Sequence, residues 1–271
     1  MSLFIALGLF AATQIGAVSY DKFVAAELPK VGRINWIDVL VILAMLNITP
    51  FLFLLLPKFL VLLIFALAFA SGLYYSLKPF TKVKPLLILL ALLIIAFQIW
   101  NPTIYLNDLI VMATVIGLTT LYIQSGLKPS ELVLLGVGYS VYDFTIVNYT
   151  PLITQLTLKM GSIQIVPLLL VSNFVIGAAD LLLASFYAIA LRRKFGVQFS
   201  SLGIVLSTLI VAFIGLYLIH VPLPFPIGSP KGFPLAPWIT VPFLILWILH
   251  SKLGGKSFST GDGTPKIDEH K

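Results

Sequence analysis

Apolar residues in this chain come in long unbroken runs, not in the one-sided stripes of a soluble helix. Nine runs can be read, at approximately 3–20, 36–56, 59–77, 85–100, 106–124, 131–149, 165–191, 202–220 and 236–250. A helix needs about 20 apolar residues to cross the hydrocarbon core of a bilayer. The pattern therefore predicts an all-α polytopic membrane protein with nine transmembrane helices. Residues 1–250 read as a single transmembrane domain, and 251–271 (SKLGGKSFSTGDGTPKIDEHK) as a disordered cytoplasmic tail rich in Gly, Ser and Lys. No Lys or Arg precedes the first run, so it reads as a retained span and not as a signal peptide.

Proline breaks the helical pattern in one long connection. VPLPFPIGSPKGFPLAP carries prolines at 222, 224, 226, 230, 234 and 237. Proline removes a backbone donor and clashes in a helix interior, so this connection is expected to be extended. Its last part enters the membrane with the ninth span, where extended backbone is tolerated only against protein or a water-filled cavity.

Charge tests the count of spans. With nine, the odd-numbered connections and the C-terminus share one side. That side holds Lys22, Lys30, Arg33, Lys78, Lys82, Lys84, Lys128, Arg192, Arg193, Lys194, Lys252, Lys256, Lys266 and Lys271. The other side holds only Lys58, Lys159 and Lys231. Positive charge gathers in cytoplasmic loops, which predicts an N-terminus outside and a C-terminus in the cytoplasm. The same rule accounts for the net charge of +7, and no basic run interleaved with aromatics points to nucleic acid. The chain is 59% hydrophobic and 10% charged, and it has no cysteine, which removes thiol nucleophiles and thiolate metal sites. His220, His250 and His270 all lie at or beyond span ends, so a histidine triad or buried imidazole metal site is not expected.

Two carboxylates stand out because they interrupt apolar spans: Asp143 in LLGVGYSVYDFTIVNY and Asp180 in LLLVSNFVIGAADLLLASFYAIA. An ionisable group inside a membrane span is a functional-site hypothesis by default. Asp143 follows Glu131 by 12 residues and Asp180 precedes Arg192 by 12. At a 1.5 Å rise, each lies about 18 Å from the same end of its helix. The sixth and seventh spans, as adjacent antiparallel helices, are expected to present both at one depth. Gly136 and Gly138, with Gly177, Ala178 and Ala179, are small enough to let the two backbones approach. Two adjacent carboxyls titrate as a coupled pair sharing one proton. The ionised member can activate a water while the protonated one polarises a carbonyl, as in aspartic proteases, without metal or cofactor. Such a pair is expected to work at mildly acidic to neutral pH. Taken alone, the pair fits catalysis, a proton or cation relay, or helix packing.

Three short motifs add to this. Tyr142-Asp143, Gly177-Ala178-Ala179-Asp180 and Pro234-Leu235-Ala236-Pro237 lie in the sixth, seventh and ninth runs in that order. They resemble the YD, GxGD and PAL signatures of the intramembrane aspartyl proteases, the presenilin and signal peptide peptidase family. The likeness covers about residues 131–250, and the nine-span count extends it over the chain. It implies that Asp143 and Asp180 are the catalytic pair. It also implies that 234–237 borders the site and helps hold an unwound substrate, by strand addition to extended backbone. A second strand is expected from TLKMGSIQIV, with Ile163 and Ile165 alternating after a turn at Gly161. Ala179 replaces the second glycine of GxGD, and the last motif reads Pro-Leu-Ala-Pro instead of Pro-Ala-Leu-Pro. The first departure leaves open a shifted substrate choice, slower turnover or an inactive relative. The expected orientation is similar to signal peptide peptidase and opposite to presenilin, implying transmembrane-helix or signal-peptide substrates with a cytoplasmic N-terminus.

The rivals are a prepilin-type peptidase, a proton-coupled transporter and an inactive member that only binds membrane helices. A transporter would need further polar groups along a path or an inverted repeat. Asn173, Asn148, Gln98 and Tyr142 are the candidates; Asp38, Asp108 and Glu131 sit at span ends and read as interfacial or helix N-terminal charges. The sequons at Asn47 and Asn148 fall in or beside spans and read as chance.

Overall fold

Several helix starts are written locally. The Asn35 side chain accepts the Ile37 and Asp38 amides at 2.8 and 3.2 Å, and Asp38 returns a bond to the Asn35 N–H at 2.8 Å. Thr103 accepts the Leu106 N–H at 3.3 Å, and Glu131 accepts the Lys128 N–H at 2.7 Å. These bonds satisfy donors that the first turn of a helix leaves over. Asp38 and Glu131 are thus helix N-terminal charges.

The computed structural model describes residues 2–24, 35–150, 152–160, 162–171, 174–220 and 234–252. In chain order its helices are α1 (Ser2–Phe23), α2 (Trp36–Leu55), α3 (Lys58–Leu77), α4 (Lys84–Trp100), α5 (Ile104–Gln124), α6 (Pro129–Tyr149) and α7 (Leu152–Met160). A hairpin of β1 (Leu168–Val171) and β2 (Phe174–Gly177) follows, then α8 (Ala178–Phe195), α9 (Val197–His220) and α10 (Ala236–Lys252). Among the described residues six helices, α1, α2, α3, α5, α6 and α9, are long and apolar enough to cross a membrane, and α4 and α10 are shorter apolar helices. The protein is a multi-pass, essentially all-helical membrane protein.

The seventh run departs from expectation. Residues 165–191 are not one helix: Leu168 pairs with Gly177, Leu169 with Ile176, Leu170 with Val175 and Val171 with Phe174, antiparallel, before α8 begins. A short apolar run reads equally well as a buried strand or a helix, so hydropathy could not separate them. The expected strand around Ile163 and Ile165 does not form: both side chains are buried in irregular backbone, and Gly161 lies outside the described residues.

Extended backbone in an apolar interior must find partners in the protein. The outer edge of β1 finds them on α5. Asp108 Oδ1 accepts the Leu170 N–H at 2.7 Å, Asn107 Nδ2 donates to the Leu168 carbonyl at 2.9 Å, and Asn107 Oδ1 accepts the Val166 N–H at 3.0 Å. Gln98 Nε2 donates to the Gln164 carbonyl at 2.9 Å. Asp108 is therefore not an interfacial charge but a buried acceptor that holds the hairpin. Asn148 bonds its own helix at the Phe144 carbonyl, and Asn173 lies outside the described residues.

Packing also corrects the expected neighbourhood. α6 packs chiefly on α10 and α2 and touches α8 only lightly, while α10 reaches both α6 and α8. Glycine brings α3 and α5 together, since a Cβ at Gly117 would lie 2.4 Å from the Gly72 carbonyl oxygen. At the basic end of α8, Arg193 forks onto Asp21 of α1 at 3.0 and 2.5 Å. At the other end, Lys159 of α7 donates to the Leu54 and Leu56 carbonyls, which close α2. Ser251 and Lys252 still belong to α10, so the expected tail boundary is early by two residues; 253–271 and the prolines at 222, 224, 226 and 230 lie outside the described residues.

The hairpin's dependence on α5 is testable. Asp108→Ala leaves the Leu170 N–H without its acceptor and is expected to destabilise the fold by about 1–3 kcal/mol. Asp108→Asn keeps an oxygen there and is expected to lose less. Unfolding in mixed detergent micelles reads both.

Candidate functional site

α10 begins with an amide that no intrahelical carbonyl can accept. Leu235 supplies the carbonyl for the first bonds, from Trp238 at 3.1 Å and Ile239 at 3.2 Å. The Ala236 N–H is one of the orphan donors of a helix start. Asp143 of α6 takes it: Oδ2 accepts the Ala236 N–H at 3.0 Å, and the Leu235 amide is turned to the same carboxyl. A carboxylate at the positive end of a helix is favourably placed twice over, by the hydrogen bond and by the dipole. Pro237 fits the first turn because its missing N–H is not needed there. Pro234, Leu235 and Ala236 are buried and Pro237 is half-buried. The Pro-Leu-Ala-Pro segment thus borders Asp143 through its backbone.

Asp180 is the third residue of α8, not mid-helix, and it is buried. Its carboxyl folds back on the Gly177 amide, as an acidic third residue does on a helix cap. Gly177 has ordinary backbone angles, φ −66° and ψ 141°, so its role is spatial: a Cβ there would stand 3.0 Å from Asp180 Oδ2. The Ala178 N–H closes the base of the hairpin on the Pro167 carbonyl at 2.9 Å. Ala179 is half-buried in the first turn of α8.

The two carboxyls are near enough for their charges to interact, and the Tyr139 hydroxyl interacts with both, most directly with Asp180. Asp180 Oδ1 has no hydrogen-bond partner among the described residues. A buried carboxyl oxygen left open beside a second carboxyl is suited to a water or a substrate carbonyl. Tyr142 stacks on Tyr139, with ring centroids 6.0 Å apart at 26°, and leans on the cluster that α7 builds over α6 through Leu152 and Leu156.

Below the pair, toward Arg192, hydroxyls join the three helices. Thr240 Oγ1 lies 3.1 Å from Tyr187 Oη and accepts from Ser140 Oγ at 3.0 Å, with the Gly136 carbonyl 3.5 Å away. Gly136 makes room for this group, since a Cβ there would stand 1.5 Å from Tyr187 Oη. Gly138 faces α2 instead, 2.6 Å from Leu43 Cδ1 on the same construction. The expected close approach of two backbones is therefore one glycine admitting a tyrosine hydroxyl.

Tyr139, Ser140, Tyr187 and Thr240 escaped the sequence reading. Helical spacing holds the signal: Tyr139 precedes Asp143 by four residues, Tyr187 follows Asp180 by seven, and Thr240 follows Ala236 by four. Neither protein-family models nor curated proteins give a match to this chain.

Gly136→Ala is expected to destabilise the protein by about 1–3 kcal/mol, because the methyl must displace a buried tyrosine from a packed interface. Gly138→Ala meets only the flexible end of Leu43 and is expected to be milder. Detergent unfolding of the two variants side by side checks the order.

Proposed function

We propose that the protein is an intramembrane aspartyl protease that hydrolyses peptide bonds within transmembrane segments or signal-peptide remnants. The observation that supports the reading is that the carboxyls of Asp143 and Asp180, on separate helices, lie near enough for their charges to interact, with Asp143 bonded to the backbone of Pro234-Leu235-Ala236-Pro237. The pair holds one proton. Its ionised member takes a proton from water, the hydroxide attacks the scissile carbonyl, and the protonated member stabilises the developing oxyanion. Collapse of the tetrahedral intermediate returns a proton to the leaving amine. Asp143 and Asp180 touch the reacting atoms; Tyr142, Gly177, Ala178, Ala179 and residues 234–237 shape their surroundings.

A helical substrate hides its carbonyls in its own hydrogen bonds, so it must be unwound before attack. The side chains of α5 occupy the outer edge of β1, whereas the outer edge of β2 has no backbone partner among the described residues. Val175 on that edge is exposed, and the strand runs directly into the turn that carries Asp180. An unwound segment adding to β2 is delivered to the carboxyls. The reading extends to topology: nine crossings, N-terminus outside, C-terminus cytoplasmic, and substrates that enter with a cytoplasmic N-terminus.

One observation favours a second reading. The hydroxyls of Ser140, Thr240 and Tyr187 continue from the pair toward a small cavity lined by Tyr187, Gln14 and Ser207. A proton-coupled transporter needs such a polar series.

The test uses purified protein in bilayers with a single-span peptide, analysed by mass spectrometry. Cleavage within the apolar stretch is expected, falling to background in Asp143→Ala and Asp180→Ala. Activity is expected to fall on both the acid and alkaline sides of one optimum, as a pair sharing one proton requires. Proton flux in dye-loaded vesicles without cleavage would favour the transporter.

A further inference from the structure

We infer that Thr240 is a positioning residue, whose hydroxyl fixes the height and rotation of the first turn of α10 and so holds the Ala236 amide on Asp143. The inference rests on the protease reading for its consequence, though not for its geometry. Three parts of the site stand on three helices that the chain does not connect directly: Asp143 on α6, Asp180 on α8 and the Ala236 amide on α10. Thr240 is the residue where all three meet. It is buried, it accepts from Ser140 of α6 at 3.0 Å, and it lies 3.1 Å from the Tyr187 hydroxyl of α8.

Spacing turns that bond into a register. Ser140 precedes Asp143 by three residues and Thr240 follows Ala236 by four, about one helical turn in each case. α6 and α10 are thus tied at two points one turn apart, by Ser140–Thr240 and by Asp143–Ala236. A rotation of α10 that opens one bond opens the other.

The helix itself cannot fix this turn alone. Pro242 lies inside α10 and has no N–H to give the carbonyl four residues earlier, which weakens the ladder where the first turn joins the rest. Tyr187 of α8 meets α10 on both sides of Pro242: its ring stacks on Phe243 with centroids 3.9 Å apart and 6° between planes, and Gly136 of α6 leaves the space for its hydroxyl. Thr240 ties the turn before Pro242 to that hydroxyl.

The decisive variants are Thr240→Val, which keeps the shape and removes the hydroxyl, and Thr240→Ser, which restores it. In bilayers Thr240→Val is expected to lower kcat about tenfold with KM within about twofold, and Thr240→Ser to recover most of kcat. A second readout needs no substrate. The infrared carboxylate band lost in Asp143→Asn reports the Ala236 bond; it is expected to shift in Thr240→Val and to return in Thr240→Ser. An unshifted band with wild-type kcat in Thr240→Val overturns the inference, as does equal impairment of the Val and Ser variants. If Thr240→Val does not assemble, Ser140→Ala withdraws one bond and is expected to shift the band less in the same direction; no shift overturns the inference. Wild-type protein that cuts nothing refutes the protease reading, and the band alone then decides the role of Thr240.

Discussion

A backbone group inside a membrane protein's apolar interior has no water to fall back on, and each unpartnered one costs about 1–3 kcal/mol or more. The architecture follows from where such groups arise and what is sent to meet them. α10 starts with an orphan amide and Asp143 meets it. β1 exposes an edge and Asn107 and Asp108 meet it. α2 ends on open carbonyls and Lys159 meets them. In every case a polar side chain from a distant part of the sequence closes a gap that local structure leaves, so these charges are part of the fold before they are part of any chemistry.

This sharpens what Asp143 is. As the acceptor at a helix start it has a structural reason to exist, and a packing role alone would account for it. Asp180 is different, because one of its oxygens is buried with no hydrogen-bond partner among the described residues. A purely structural carboxyl would be expected to have both satisfied. A carboxyl bonded to a helix start and a partly open one, near enough to interact, are together what a packing role does not explain.

Much of this was legible in the sequence. Helix positions follow the apolar runs closely because length and composition fix them, and the grouping of Asp143 with Pro234–Pro237 followed from three short motifs. What escaped was whatever hydropathy treats as uniform. LLLV and FVIG read as helix because an all-apolar strand carries no alternation. Asp108 read as an interfacial or helix N-terminal charge because its partner, the Leu170 amide, is a backbone group that no residue type announces. Gly136 read as a helix contact because a sequence does not say whether the space it frees takes a backbone or a hydroxyl. Thr240 was invisible for the same reason: one hydroxyl among many, distinguished only by its neighbours.

β2 ends at Gly177 and α8 begins at Ala178, with no loop between them. A loop would let the strand edge and the carboxyl drift apart over generations, each free to change without the other. Here a substitution that tilts the strand also re-aims Asp180 three residues on. Selection therefore meets the strand edge and the acidic group as one heritable trait, and under the proposed protease reading a lineage altering what it grips would alter how fast it reacts.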